Sequence, residues 1–527
     1  MDNFAHENLP TPELLPRFLP APHDYPAKLN AASYLFSEAE QRGWSNQPLL
    51  LFKDETWTYQ QCDALSNQFA RLLQEQHHLE VGERVLLRSP NTAALAIAWL
   101  GVIKAGGICV TTMPLLRSRE LAYITEKVQI RHCVCDNRFA DEVDSLRTTG
   151  LLPETYYFPG ENTNELASAL GHFSPEPLDI STAADAISII AFTSGTTGQA
   201  KATAHTHRDL LIICDCFPSS ILKAQASDIF TGTPPLGFTF GLGGLLLFPM
   251  RVGAATLLIE KPSPEELLRQ IQQQEVTVLF TSPTAYRGLL EHLSPEAKLP
   301  LRRCVSAGET LPRATFDAWE KAAGIKIIDG IGATEMLHIF ISAADDEIRP
   351  GSTGKAIPFY EAKVVDENGN ECPRGEIGLL AVRGPTGCRY LADPDRQTGY
   401  VRWGWNITGD AYIQDNDGYF WFQARADDMI ISAGYNISGI EVENAVLRHP
   451  AVKECAVVGT ADSERGQIVK AFIVLKQPNG TADTLAKNIQ DFVKAEIAPY
   501  KYPRSIEFVT ELPRTETGKL QRFKLRN

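Results

Sequence analysis

The chain has 527 residues, 44% of them hydrophobic, and a formal net charge of −14 at neutral pH. That length exceeds one compact core and predicts at least two or three domains, and an acidic body argues against nucleic acid as a partner. The longest apolar run, Ala93 to Ile103, stops at Lys104, short of the roughly 18 residues of a membrane span.

The opening "MDNFAHENLPTPELLP" lacks the basic and apolar regions of a secretory signal, so a cytoplasmic protein with no membrane partner is expected. Strand-like and helix-like stretches then alternate. "LLLFK" (49–53) precedes an amphipathic segment from Tyr59 to Leu73, "RVLLRS" (84–89) precedes Ala93 to Lys104, and "GICVTT" (107–112) precedes Arg119 to Val128. Such a βα repeat predicts an α/β fold with a mostly parallel sheet covered by helices. The ten cysteines include Cys133-Val-Cys135 and Cys214-Asp-Cys216 but no partner motif at zinc spacing, which points to buried thiols. His205-Thr-His207 reads as structural for the same reason.

At 186–192 an isoleucine-rich run predicts a buried strand, and Asp209 to Cys216 predicts the start of a helix. Between them lies "TSGTTGQAK". Its lysine follows Ala200 and precedes Ala202, so it is not the nucleotide-binding loop that requires Gly-Lys-Ser/Thr. Gly195 and Gly198 still let backbone N–H groups turn inward, and Thr193, Ser194, Thr196, Thr197 and Lys201 supply hydroxyls and a charge suited to an anion. "AATLLIE", "VTVLFTSP" and "CVSAGE" continue the strand series.

Further on, "DGIGATEMLHIF" places Thr334 and Glu335 after a strand and a glycine turn, where a carboxylate can hold Mg²⁺ on a triphosphate. "GWNITGD" ends in Asp410, read as an acid on a loop able to accept both hydroxyls of a ribose, with Arg425 in reach of the same sugar. The pattern changes after about Phe422. "DNDGYFWFQARADDMIISAGYN" suits a hinge better than a core element. Beyond it, Ser438 and Glu441 form a capping pair, "ECAVVG" and "KAFIVL" read as strands, and Leu485, Ile489, Phe492, Val493 and Ile497 share one helical face. From Asp428 onward 14 Lys and Arg face 12 Asp and Glu, a mildly basic unit on an acidic body.

Taken together, "TSGTTGQAK", "GATE", "TGD", "RADDMIISAGYNISGIEVE" and "LPRTETGKLQR" resemble the adenylate-forming acyl- and aryl-CoA ligase superfamily, in its order and over nearly the whole chain. The resemblance implies a large N-terminal domain of mostly parallel sheets flanked by helices (1–424), a hinge (425–430) and a small mobile α+β domain (431–527). It implies ATP, Mg²⁺ and coenzyme A as cofactors. Thr193 to Thr197 and Lys201 would handle the β- and γ-phosphates, Thr334 the α-phosphate and Glu335 the metal. Gly308, Glu309, Asp329 and Gly330 would line the nucleotide, Asp410 and Arg425 the ribose. Asp427 would be the pivot, Lys519 the catalytic lysine, and Ala433 with Gly434 the lining of a pantetheine tunnel. The chain departs from the family at Ala200, Ala202 and Ala424, where Pro, Gly and Gly are usual.

For the acid, Phe238 and Tyr286 are expected as flat walls, Ala307, Gly308 and Gly332 as a closely approached floor, and His338 as a polar edge. A short aromatic acid suits these better than a fatty acid. "GATEMLHIF" resembles benzoate-type CoA ligases, while "FQARADDMIISAGYNISG" resembles those for 2-aminobenzoate (anthranilate). Anthranilate is therefore expected, with benzoate or a hydroxybenzoate the alternative. A freestanding adenylation module loading a carrier protein is a reading of a different class, disfavoured by Thr239 where such modules hold an amino group with aspartate. A nucleotide or acyl-adenylate sensor is a third. The downstream acceptor, an enzyme or a carrier protein, stays open.

Overall fold

The computed structural model describes residues 1–193, 200–294, 298–425, 428–432, 435–462, 465–477, 482–514 and 520–526. Two parallel-rich sheets and two smaller, mainly antiparallel ones make up the α/β fold. A six-stranded sheet runs Glu154–Phe158, His132–Asp136, Arg84–Arg88, Ile108–Thr112, Ile187–Thr193 and Lys201–Thr206, parallel except for the last pair. A nine-stranded sheet has a parallel centre, from Ile327–Gly332 through Arg303–Ser306, Val278–Thr281, Ile229–Gly232 and Ala255–Leu258 to Pro48–Phe52. Antiparallel strands close both of its ends.

Helix positions follow from sequence chemistry. Tyr59–Glu75 starts at a full capping box in which the Thr58 side chain accepts from Gln61 N and Gln61 reaches back. Ala93–Lys104, apolar all round, is buried all round, as such a helix must be in a soluble fold. Its terminal Lys104 is buried too, and its ammonium is held by Asp63 and Asn67. No helix among the described residues is long and apolar enough to cross a membrane. Nine of the ten cysteines are buried, all ten as free thiols.

A third, antiparallel sheet joins Glu361–Val365, Ile377–Arg383, Trp405–Gln414, Val401–Arg402 and Phe420–Arg425. Here the structure corrects the sequence reading twice. Asp410 sits inside the strand Trp405–Gln414 and not on a loop, and Phe420–Arg425, read as part of a hinge, is a strand paired with it residue against residue. Burial along this strand does not alternate, Phe420 and Ala424 being buried with three half-buried residues between, so a period-two reading could not find it.

The C-terminal unit is a five-stranded sheet with two helices. Ser438 caps Gly439–Leu447 by accepting from Glu441 N, but the Glu441 carboxylate turns to Lys501 at 2.7 Å and leaves the box half made. Ile489 and Val493 are fully buried on the Ala482–Glu496 helix, with Leu485, Phe492 and Ile497 packed at the margin.

Candidate active site

The stretch expected to bind an anion starts and ends on an antiparallel pair of strands. Thr193 and Lys201 face each other across the antiparallel pair Ile187–Thr193 and Lys201–Thr206, and the helix His207–Phe217 follows the second strand. The sequence had suggested strand, loop and helix without that second strand. Ser194, Gly195, Thr196 and Thr197 lie outside the described residues, as do Asp427, Ala433, Gly434 and Lys519.

Lys201 leads into a buried polar network. Its Nζ donates to the Tyr390 hydroxyl at 3.4 Å and lies 5.3 Å from that ring's centroid. Tyr390 is buried, and its hydroxyl in turn donates to Glu335 Oε1. Burial first, and then the Glu335 charge, push the Tyr390 phenol far above its ordinary range, so it stays a proton donor. Glu335 is itself buried, on a short 3-10 turn that follows the strand Ile327–Gly332.

Three segments meet at this point. His205 Nε2 lies 2.7 Å from the Thr334 carbonyl, joining the hairpin to the turn that carries Thr334 and Glu335. Burial lowers the His205 pKa to about 4, so the neutral ring donates there. From the other side, Ala204 N donates to Arg389 O and Leu391 N to Ala202 O, both at 2.9 Å, which lays the Tyr390 backbone along the hairpin. Tyr390 and His205 in this role were not legible in the sequence. Tyr390 is 55 residues from its carboxylate partner, a separation that leaves no local signal.

Asp410 and Arg425 form an ion pair at 2.8 Å, opposite each other across the third sheet. The carboxylate is mostly covered and the guanidinium half exposed. Glu309 accepts from Thr284 at 2.7 Å, and Thr284 also receives Arg514 of the C-terminal unit at 3.3 Å. Gly308 stands at φ +88°, a conformation that favours glycine. Asp329 turns its carboxyl inward: Oδ1 is buried without a hydrogen-bond partner, and burial raises its pKa to about 8. It is therefore a neutral acid at pH 7, while Gly330 beside it is buried in the strand.

Residues expected around the acid divide. Phe238 is half-buried and shares a small cavity with Trp99, Cys109, Thr111, Ile189 and Leu242. Ala307 is buried near the end of the strand Arg303–Ser306. Tyr286 belongs to the core: it is fully enclosed, packs edge-on against Trp319 at 4.9 Å and donates to Val305 O. His338 is also enclosed, 4.5 Å from the Phe248 ring centroid and 5.7 Å from those of Phe217 and Phe240. Burial drives its pKa to about 3, and neither ring nitrogen makes a full hydrogen bond, the Phe240 backbone only opposing the shift. Gly332 has to be glycine, since a Cβ there would lie 2.8 Å from the His338 carbonyl group.

The donors suit a magnesium–nucleotide. Tyr390 occupies Oε1 of Glu335, and among the described residues no hydrogen bond reaches Oε2, leaving an oxygen of the kind magnesium takes. Lys201 and Asp410 add a cation and a carboxylate of the kinds that a phosphate and a sugar take.

The fold and this site define an adenylate-forming enzyme built from a large α/β body and a small C-terminal unit. Residues 37–390 match the AMP-binding enzyme family and 441–519 the AMP-binding enzyme C-terminal domain. The chain belongs to that family and is an AMP-forming acyl- or aryl-CoA ligase, a class that uses ATP and CoA. It is 33% identical to the benzoate–CoA ligase of Thauera aromatica, over 95% of this chain and 96% of that one. It is 34% identical to human acyl-coenzyme A synthetase ACSM3, mitochondrial, over 89% and 83%. Among solved structures, the anthranilate CoA ligase AuaEII in complex with anthranoyl-AMP superposes with a TM-score of 0.89 at 34% identity, covering 95% of this chain and 97% of that one. A benzoate CoA ligase from Burkholderia xenovorans LB400 gives 0.85 at 31%, covering 95% and 100%.

Proposed function

We propose that the chain activates anthranilate with ATP to the acyl-AMP and transfers the acyl group to CoA, releasing AMP and pyrophosphate. The observation that carries the choice of acid is the likeness, over nearly the full length, to a structure that holds anthranoyl-AMP. Benzoate is the second reading, supported by the Thauera and Burkholderia relatives.

In this proposal the 193–201 segment takes the β- and γ-phosphates and Thr334 the α-phosphate. Asp410, held by Arg425, accepts the ribose hydroxyls. Glu335 offers Oε2 to magnesium, which when bound offsets charge on the phosphate oxygens. The substrate carboxylate and the α-phosphate repel as they approach. The Lys519 ammonium about 4 Å from each offsets on the order of 4 kcal/mol per pair at an effective dielectric near 20. The same proposal divides the chain into 1–424, a pivot at 425–430 with Asp427, and 431–527. That last unit brings Lys519 for activation and the 433–434 segment for the thiol.

AMP release with ATP, Mg²⁺ and CoA across anthranilate, benzoate, salicylate, octanoate and amino acids tests the reading. CoA-dependent turnover fastest on anthranilate is expected. Preference for benzoate moves the substrate and keeps the chemistry, whereas release indifferent to CoA or confined to amino acids replaces the ligase reading with loading of a carrier protein.

A further inference from the structure

Tyr390 has no place in the motif set that assigns the phosphate, ribose and metal contacts, yet it is the point where that machinery is joined. Its hydroxyl has one proton to give and lone pairs to receive. The proton goes to Glu335 Oε1, and one lone pair takes Lys201 Nζ at 3.4 Å. The Lys201 ammonium and a buried carboxylate on the turn after another sheet's strand are thus bridged by one neutral oxygen.

The ring is held firmly enough to make that bridge directional. The Tyr390 backbone N donates to Gln397 Oε1 at 2.8 Å, and the same amide's Nε2 reaches Leu14 O at 2.9 Å and Cys388 O at 3.1 Å. Thr203 pairs with Tyr390 as an isolated bridge, and Tyr400 packs edge-on at 5.7 Å. A phenol anchored by its backbone on one side and its ring on the other can fix the rotamer of the carboxylate it touches. The general rule for metal sites is the same: a group hydrogen-bonded to a ligand sets which atom the ligand presents.

We propose that Tyr390 is a positioning residue for activation, occupying Glu335 Oε1 so that Oε2 is presented to magnesium and linking that carboxylate to Lys201. The inference rests on the reading of Glu335 as the metal's carboxylate. When a nucleotide draws Lys201 toward its phosphates, the Tyr390 hydroxyl keeps its bond to Glu335, and the metal and phosphate contacts stay in register. Deleting the hydroxyl loosens the carboxylate and leaves the ring, its contact with Tyr400 and its face toward Lys201 in place.

The test uses Tyr390→Phe and Glu335→Gln in the full chain. Mn²⁺ binding to the complex with a non-hydrolysable ATP analogue is followed by electron paramagnetic resonance of the free ion, alongside the Mg²⁺ dependence of AMP release. Tyr390→Phe is expected to weaken Mn²⁺ binding about ten-fold and to raise half-saturating Mg²⁺ by a similar factor, with kcat at saturating Mg²⁺ nearly kept. Weakened Mn²⁺ binding in Glu335→Gln with none in Tyr390→Phe overturns the proposal and spares the metal reading. Unchanged binding in Glu335→Gln overturns the metal reading and the proposal with it. Should Tyr390→Phe not fold, 3-fluorotyrosine at position 390 serves instead. Its fluorine resonance is expected to shift when Mg²⁺ joins the nucleotide complex and to lose that response in Glu335→Gln, and a resonance indifferent to Mg²⁺ overturns the proposal.

Discussion

Two carboxyls lie six residues apart, Asp329 within the strand Ile327–Gly332 and Glu335 on the turn beyond it, and their hydrogen-bonding surroundings differ. Asp329 points inward with Oδ1 unpartnered, and burial lifts its pKa to about 8. Glu335 is buried as well, but the Tyr390 hydroxyl donates to one of its oxygens. Burial alone therefore does not set an acid's role here. The Tyr390 hydroxyl fixes one oxygen of Glu335 and leaves the other to face a cation.

The widest separation between the two is expected from isosteric amides. Glu335→Gln removes the negative oxygen proposed for magnesium and should slow acyl-AMP formation about a thousandfold, some 4 kcal/mol of transition-state stabilisation, measured by single-turnover AMP or pyrophosphate release. A loss under tenfold would return Glu335 to a structural role. A smaller effect, of a different kind, is expected at the ribose position. Asp410→Ala removes acceptors proposed for two hydroxyls and should raise KM for ATP roughly ten- to a hundredfold, hydrogen bonds to a charged group contributing about 1.5–3 kcal/mol. The kcat should change much less, and a kcat loss at unchanged KM would assign Asp410 to the chemistry instead.

The contrast also marks how far the sequence could be read. The βα alternation placed the parallel sheets because Val, Ile and Leu runs such as Arg84–Arg88 and Val278–Thr281 are buried along their whole length. The motif residues were legible because glycines, hydroxyls and charges cluster locally. What was not legible depends on contacts between distant segments. Asp410 and Arg425 read as loop residues 15 apart, and only antiparallel pairing brings them to 2.8 Å. Tyr286 read as a pocket wall and His338 as its polar edge by residue type, and the packing of Trp319 and Phe248 encloses them. The inward turn of Asp329 and the reach of Tyr390 to Glu335 leave no periodicity or spacing behind.

The smallest expected effect on activity is at Asp329, where stability changes instead, and its sign follows from proton linkage. The folded carboxyl titrates near 8 and the unfolded one near its ordinary 3.8. Between those values the folded chain holds a proton that the unfolded chain has released. Stability from this group is thus fully present below about pH 4 and is lost as pH rises toward and through 8, with a slope of at most about 1.4 kcal/mol per pH unit. Asp329→Asn cannot ionise and escapes that loss. The variant should gain on the wild type progressively from pH 5 to pH 8 in thermal unfolding, and its AMP release at pH 7 should stay within about threefold, because no charge is removed that the folded wild type carries there. Parallel melting curves across that range would mean that Asp329 is ionised in the folded chain, and its carboxylate would then join Glu335 as a candidate for the nucleotide's cation.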